Sequence, residues 1–265
     1  MPRKKKDEEL KAEEPNPVDP ATQEAEDTGT ETDLNVDPEE TEDTAIEPSP
    51  AEVELNDDAE TEKEDDLLLP RDELLSAGIH IGTRMKTKNM DQFIYRVRPD
   101  GLFVLDVKKT DERIRVAAKF LSRFDSERIG VVAARLYARH PAKRFSEVIK
   151  ATPLTGRFVP GMLSNPLYPD HIEPSVIIVS DPKADAQAVR EAGVMGIPVI
   201  ALCSTDNESS GVDLVIPTNN KGRRALAIIY WLLARQTLRE KGELEPDKDL
   251  NLSIDDFEAR VSRRD

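Results

Sequence analysis

Apolar and polar positions divide the chain into two regimes. From Asp7 to Asp66 the residues are Glu, Asp, Thr and Pro with scattered Ala, and no hydrophobic period emerges. Such a stretch cannot bury enough apolar surface to offset its chain entropy, so residues 1–66 are expected to form a disordered acidic extension. Periodicity starts at Leu67. The clearest unit is PSVIIVSDPKADAQAVREAGVMGIPVIAL, from Pro174 to Leu202. Val176 to Val179 is a β-branched run too short for a core helix, as in strands buried on both faces. Asp181 can cap a helix with Pro182 in its first position, Ala184, Ala188, Val189 and Ala192 share a helical face, and Gly193 offers a left-handed stop. Ile197 to Leu202 begins a second buried strand. A strand–helix–strand this short makes a right-handed parallel pair, which fixes the class as α/β.

The same reading extends along the body. Pro70 to Ala77 predicts a short helix closed at Gly78, and Arg84 to Arg98 a long exposed loop. Leu102 to Leu105 predicts the first buried strand. Thr110 caps a helix to about Phe124, with Asp111 and Glu112 in the first turn where the macrodipole favours them. Ile129 to Ala134 predicts a strand, and Arg139 to Lys150 a helix started after the His140-Pro141 break. Thr152 to Pro174, rich in Pro and Gly, predicts irregular chain. Leu214 to Ile216 is a last short strand, and Asn219 or Asn220 caps a long helix from Lys221 to about Arg239. Four or five parallel strands alternating with helices make a doubly wound three-layer parallel sheet, Rossmann-like or flavodoxin-like, over residues 67–242. Residues 243–265 read as a charged, flexible tail.

Charge changes the picture because it is segregated. The net charge is −16, yet residues 1–69 hold 6 basic against 26 acidic residues while residues 70–240 hold 26 against 19. An acidic extension is joined to a basic body, and partners are to be sought on the body. The single cysteine, Cys203, excludes an intramolecular disulfide and fits a reducing cytosol. Met1 to Lys6 leads into acidic residues with no apolar segment behind, so no secretory leader is expected. The longest apolar run, Ala225 to Ala234, is too short to span a bilayer. A cytoplasmic protein without a membrane partner is expected.

Two motifs carry a resemblance. Pro174, Ile177, Ile178, Asp181, Asp185, Val189, Glu191 and Gly196-Ile197-Pro198 form one, and Leu74-Leu75-Ser76-Ala77-Gly78-Ile79-His80-Ile81-Gly82 the other. Together, in this order and about a hundred residues apart, they resemble the S-two family of small-subunit ribosomal proteins, including its laminin-receptor-like branch. The resemblance spans roughly Leu67 to Lys241. It implies a non-enzymatic structural constituent of the ribosome, bound to ribosomal RNA and neighbouring ribosomal proteins near the subunit's head–body junction. The bacterial branch carries an inserted helical hairpin after the stretch resembling Gly156–Asn165. Only a few residues separate Asn165 from Pro174 here, so the chain resembles the archaeal and eukaryotic branch, without that coiled-coil insertion.

Other chemistry finds little support in the residues. No two glycines stand two apart, so the dinucleotide fingerprint is missing. Gly156 to Gly161 has phosphate-loop spacing, but Met162-Leu163 stand where Lys and Ser or Thr are needed. His80, His140 and His171 have no carboxylate or thiolate at ligand spacing, so neither a metal nor another cofactor is expected. Cys203 reads as a small hydrophobe at a strand end, and Asp181 as a cap rather than a ribose ligand. An enzyme acting on a small molecule near Asp181 and Cys203 is the alternative to RNA binding, and an interaction hub working through the acidic extension is a third.

The basic residues give the positive signal. Arg84, Lys86, Lys88, Arg96 and Arg98 are interleaved with Phe93 and Tyr95, Lys108 and Lys109 follow the first strand, and Arg139, Lys143, Arg144 and Arg157 stand near Tyr137 and Phe158. Such cations contact phosphates while exposed aromatic planes stack on unpaired bases. Phe145 and Phe158 read equally as core. Lys221, Arg223 and Arg224 stand at a helix start, where cations oppose the macrodipole unless an anion sits there. All fourteen are expected to face folded ribosomal RNA, recognised by shape and backbone.

Overall fold

The computed structural model of the chain describes residues 67–246 and 248–259. The expected disordered extension lies outside them. In chain order the elements are α1 (Arg71–Ser76), β1 (Ile94–Val97), β2 (Phe103–Leu105), α2 (Val107–Leu121), β3 (Ile129–Ala133), α3 (Leu136–Ile149) and β4 (Thr152–Thr155). They continue with β5 (Val176–Val179), α4 (Ala186–Met195), β6 (Val199–Cys203), β7 (Leu214–Pro217), α5 (Arg223–Lys241) and α6 (Ile254–Phe257).

Five parallel strands form the main sheet in the order β4-β3-β5-β6-β7, which is the flavodoxin-like 2-1-3-4-5 order counted from β3. Alternate residues of each strand serve opposite layers. Val131, Ala133, Val176, Ile178, Ile200 and Leu202 pack beneath α2, α3 and α5. Val132, Ile177, Val179, Val199, Ala201 and Cys203 pack beneath α4 and against Met90, Phe93, Phe158 and Leu163. Burial on both faces explains why β3, β5 and β6 read as unbroken apolar runs.

The structure departs from the expectations at identifiable places. Leu102 to Leu105 does not join the parallel sheet; β2 pairs antiparallel with β1, so the expected loop from Arg84 to Arg98 contains a helical turn at Lys88–Phe93 and a strand. Thr152–Thr155, expected to be irregular, is the edge strand β4. Helix α3 begins at Leu136 and runs through Pro141 instead of starting after it. Asp181 sits a turn ahead of α4, whose N-cap is Asp185, and the left-handed stop is Gly196 (φ 68°) rather than Gly193. Helix α2 starts at Val107 with Asp106 as cap, its side chain accepting the Lys108 N–H.

The charged segment after Gly242, expected to be flexible, is packed over residues 248–259. Phe257 is fully buried, the Trp231 indole N–H donates to Leu252 O at 2.8 Å, and Arg235 pairs with Asp249 at 2.9 Å. Buried aromatic surface and these polar ties overcome the segment's high charge.

Candidate nucleic-acid interface

In a sheet of this order, ligands sit where the strand order reverses, here between the C-terminal ends of β3 and β5. Side chains of the protein itself fill that crevice. Asp181, fully buried at the end of β5, accepts from the Arg135 guanidinium, from Asn207 Nδ2 at 2.8 Å and from the Lys183 N–H at 3.0 Å. Asp185 accepts the Ala134 N–H at 3.0 Å. Burial, reinforced by the neighbouring Asp181 carboxylate, pushes the Asp185 carboxyl up to about 6, although the Ala134 N–H opposes the shift. Burial also drives the Cys203 thiol far above its usual range, and Asp181 adds to it, so the small-molecule alternative loses its nucleophile. Among the described residues, no group of three or more His, Cys, Asp or Glu is arranged to hold a metal ion.

Over the same end of the sheet lies the segment from Ile79 to Lys88. Thr83 N–H donates to Thr205 Oγ1 at 2.9 Å, Thr87 N–H to Thr205 O at 2.9 Å, and Asn219 N–H to Ile79 O at 3.0 Å. Gly82 lets the backbone approach: a Cβ there would stand 2.6 Å from Thr205 Cγ2 and 2.8 Å from Phe103 O. Clamped from below, the segment turns Arg84, Lys86 and Lys88 to solvent. Arg139 in the first turn of α3, Arg157 just beyond β4, and Lys221, Arg223 and Arg224 at the start of α5 emerge at this end too. The β1–β2 hairpin carries Arg96 and Arg98 beside His80. Burial and these two arginines hold the His80 imidazole below its usual pKa. Lys108 and Lys109 open α2, while Lys143 and Arg144 lie further along α3.

The fourteen expected cations divide by their partners. Lys86 pairs with Asp91 at 2.6 Å, Arg98 with Asp100 at 3.4 Å, and Arg144 with Glu147 at 2.9 Å. Lys221 pairs with Asp206 at 2.7 Å and Arg223 with Glu258 at 2.6 Å. Lys109 donates to Gln92 O and Arg139 to Ala134 O. Arg84, Lys88, Arg96, Lys108, Lys143, Arg157 and Arg224 are exposed and make no ion pair with the described residues. The two α5 pairs answer the macrodipole argument internally, because Glu258 and Asp206 already supply anions near the helix start. Neither is visible as a partner in the sequence. Arg135, which precedes α3, is committed to Asp181. Phe145 and Phe158 are core, whereas Tyr95 and Tyr137 are exposed beside the cations. Lys183, exposed just beyond β5, is a further cation that sequence reasoning passed over, since it stands apart from the basic clusters between Asp181 and Asp185.

Residues 74–168 and 168–239 match the family described as Ribosomal protein S2. A protein of Haloquadratum walsbyi named small ribosomal subunit protein uS2 is 51% identical over 207 residues, covering 78% of this chain and 72% of that protein. The chain belongs to the ribosomal protein S2 family. It is thereby a small-subunit ribosomal protein of a structural, non-enzymatic family. The two matched pieces meet at Tyr168, inside the helix-free connection between β4 and β5, where no inserted hairpin is present.

The carboxylates of the Pro174–Pro198 motif, Asp181, Asp185 and Glu191, are buried. Glu191 accepts the Gly161 N–H at 2.7 Å and the Leu163 N–H at 3.2 Å, tying the β4–β5 connection to α4. Burial pushes its carboxyl up, but hydrogen bonds from Gly161, Gln187, Leu163 and Ser164 outweigh that and hold it below the usual range. Among the described residues, no helix is long and apolar enough to cross a membrane.

Proposed function

We propose that this ribosomal S2 protein serves the small subunit by docking a basic body, residues 67–259, on folded ribosomal RNA through the C-terminal end of its sheet and the β1–β2 hairpin. The observation that carries the reading is the set of seven exposed cations that make no ion pair with the described residues, at positions 84, 88, 96, 108, 143, 157 and 224. An unpaired surface cation gives up little on meeting a phosphate. The three exposed pairs of Lys86, Arg98 and Arg144, worth about 0–1 kcal/mol each, can exchange their carboxylates for phosphates at small cost. Tyr95 and Tyr137 offer planes for unpaired bases. Leu136, Leu167 and Val194 are well-exposed single apolar side chains available to neighbouring ribosomal proteins. The place of action is the ribosome in the cytoplasm, with no small-molecule substrate or cofactor.

Binding of the full chain to small-subunit ribosomal RNA should therefore be dominated by counterion release. The plot of log affinity against log salt is expected to have a slope of about −4 or steeper, from about five or more phosphate contacts. Filter binding across a salt series measures it. A flat plot would remove the phosphate-dominated interface.

A further inference from the structure

Helix α1, the β1–β2 hairpin and the start of α2 enclose a groove of about 440 Å3, within the range of about 300–1,000 Å3 usual for pockets that seat small organic groups. Its walls are fixed before anything binds. Leu105 N–H donates to His80 O at 2.8 Å and Asp106 N–H to Phe93 O at 2.9 Å, tying β2 to the His80 segment and the start of α2 to the turn before β1. Buried Val104 and half-buried Leu75 give the groove apolar surface, and Tyr95, 58% exposed, adds an aromatic plane. Arg96 and Lys108 also line it, exposed and in no ion pair with the described residues. Its acidic lining residue, Asp106, is engaged by the Lys108 N–H at 3.0 Å. His80 adds a polar group whose Nδ1 has no hydrogen-bond partner among the described residues.

A paired RNA helix is too broad to enter such a groove, and an aliphatic side chain would leave its two cations unanswered. A single unpaired nucleotide meets every part of it. Its base has a flat apolar face for Tyr95 and the aliphatic wall, and its phosphates complement the positive charge. We propose that this groove seats one extruded nucleotide of the ribosomal RNA, its base stacked on Tyr95 and its flanking phosphates held by Arg96 and Lys108. The inference rests on the RNA-docking reading above and adds a point of base recognition to an interface otherwise made to the backbone. Stacking tolerates any base, because every base has a π-face. The groove therefore reads where the RNA has an unpaired nucleotide rather than which one it is, and so fixes the register of the body on the RNA.

The test is filter binding of the full chain to small-subunit ribosomal RNA across a salt series, comparing wild type with Tyr95→Ala, Tyr95→Phe and Leu75→Trp. Tyr95→Ala is expected to weaken binding about tenfold, the scale of one base–aromatic stack, while Tyr95→Phe keeps the plane and binds as wild type. Leu75→Trp fills the groove from the α1 side without altering charge, and is expected to weaken binding by a similar factor. Both losses should be equal at every salt concentration and leave the slope unchanged, since neither variant removes a cation. Thermal midpoints within a few degrees of wild type check that the variants remain folded. A steep wild-type salt slope with Tyr95→Ala and Leu75→Trp both binding as wild type would overturn the seated nucleotide and leave the docking reading standing. A loss from Tyr95→Ala with none from Leu75→Trp would put the base on the open side of Tyr95, outside the groove, and overturn it too. A flat slope for wild type would overturn the docking reading, and the seated nucleotide with it.

Discussion

At the scale of single residues, the motif carboxylates serve the fold and the unpaired cations serve the surface. Asp185 shows this through its titration. Its carboxyl is raised from 3.8 to about 6, so between those values the folded chain binds more protons than the unfolded one. Stability therefore falls as pH climbs through that window and is level above it. Asp185→Asn keeps an oxygen for the Ala134 N–H and removes the charge. The variant is expected to gain on the order of 2 kcal/mol relative to wild type at pH 7 and to lose that advantage near pH 4. Urea unfolding midpoints at a series of pH values measure this, and a variant weakened equally at every pH would contradict it. The sequence reading took Asp181 for a helix cap because its neighbour is Pro182. Asp181 is instead the buried partner of Arg135, 46 residues away, a pairing that no local pattern announces.

At the scale of elements, legibility followed burial. Strands β3, β5 and β6 were readable because both faces are buried and every position is apolar. β1, with Tyr95, Arg96 and Val97 exposed, and β4, with Pro153 on the sheet's edge, have neither an apolar run nor a clean alternation, so their pairing was hidden. The residues after Gly242 were hidden by charge. Over residues 248–259 an aromatic anchor, Phe257, seated against α5 and helped by the Ser253–Asp256 capping box, adds to the Trp231–Leu252 and Arg235–Asp249 ties. Phe257→Ala is expected to cost about 3 kcal/mol and to lower the thermal midpoint by several degrees. An unchanged midpoint in differential scanning calorimetry would mean that the segment is not part of the cooperative unit.

For the whole molecule, the net charge of −16 points away from nucleic acid, and only its distribution along the chain reverses that inference. The cations of the candidate interface were legible because basic residues are visible wherever they stand. Their sorting into paired and unpaired was not, because Glu258 and Asp206 reach Arg223 and Lys221 only through the fold. That sorting makes a graded prediction. Arg84→Glu, Arg96→Glu and Arg157→Glu each remove an exposed cation that pairs with no carboxylate among the described residues, so each is expected to weaken ribosomal RNA binding and to reduce the salt slope by about 1. The thermal midpoint should stay within a few degrees, since surface changes away from packed features cost about 0.5 kcal/mol or less. Arg135→Glu is the opposite case: it sets a second acid against buried Asp181, and the chain is expected to lose several kcal/mol of stability. If instead the three surface variants keep the wild-type salt slope, the end of the sheet and the β1–β2 hairpin do not meet the RNA, and the body's basic surplus acts elsewhere.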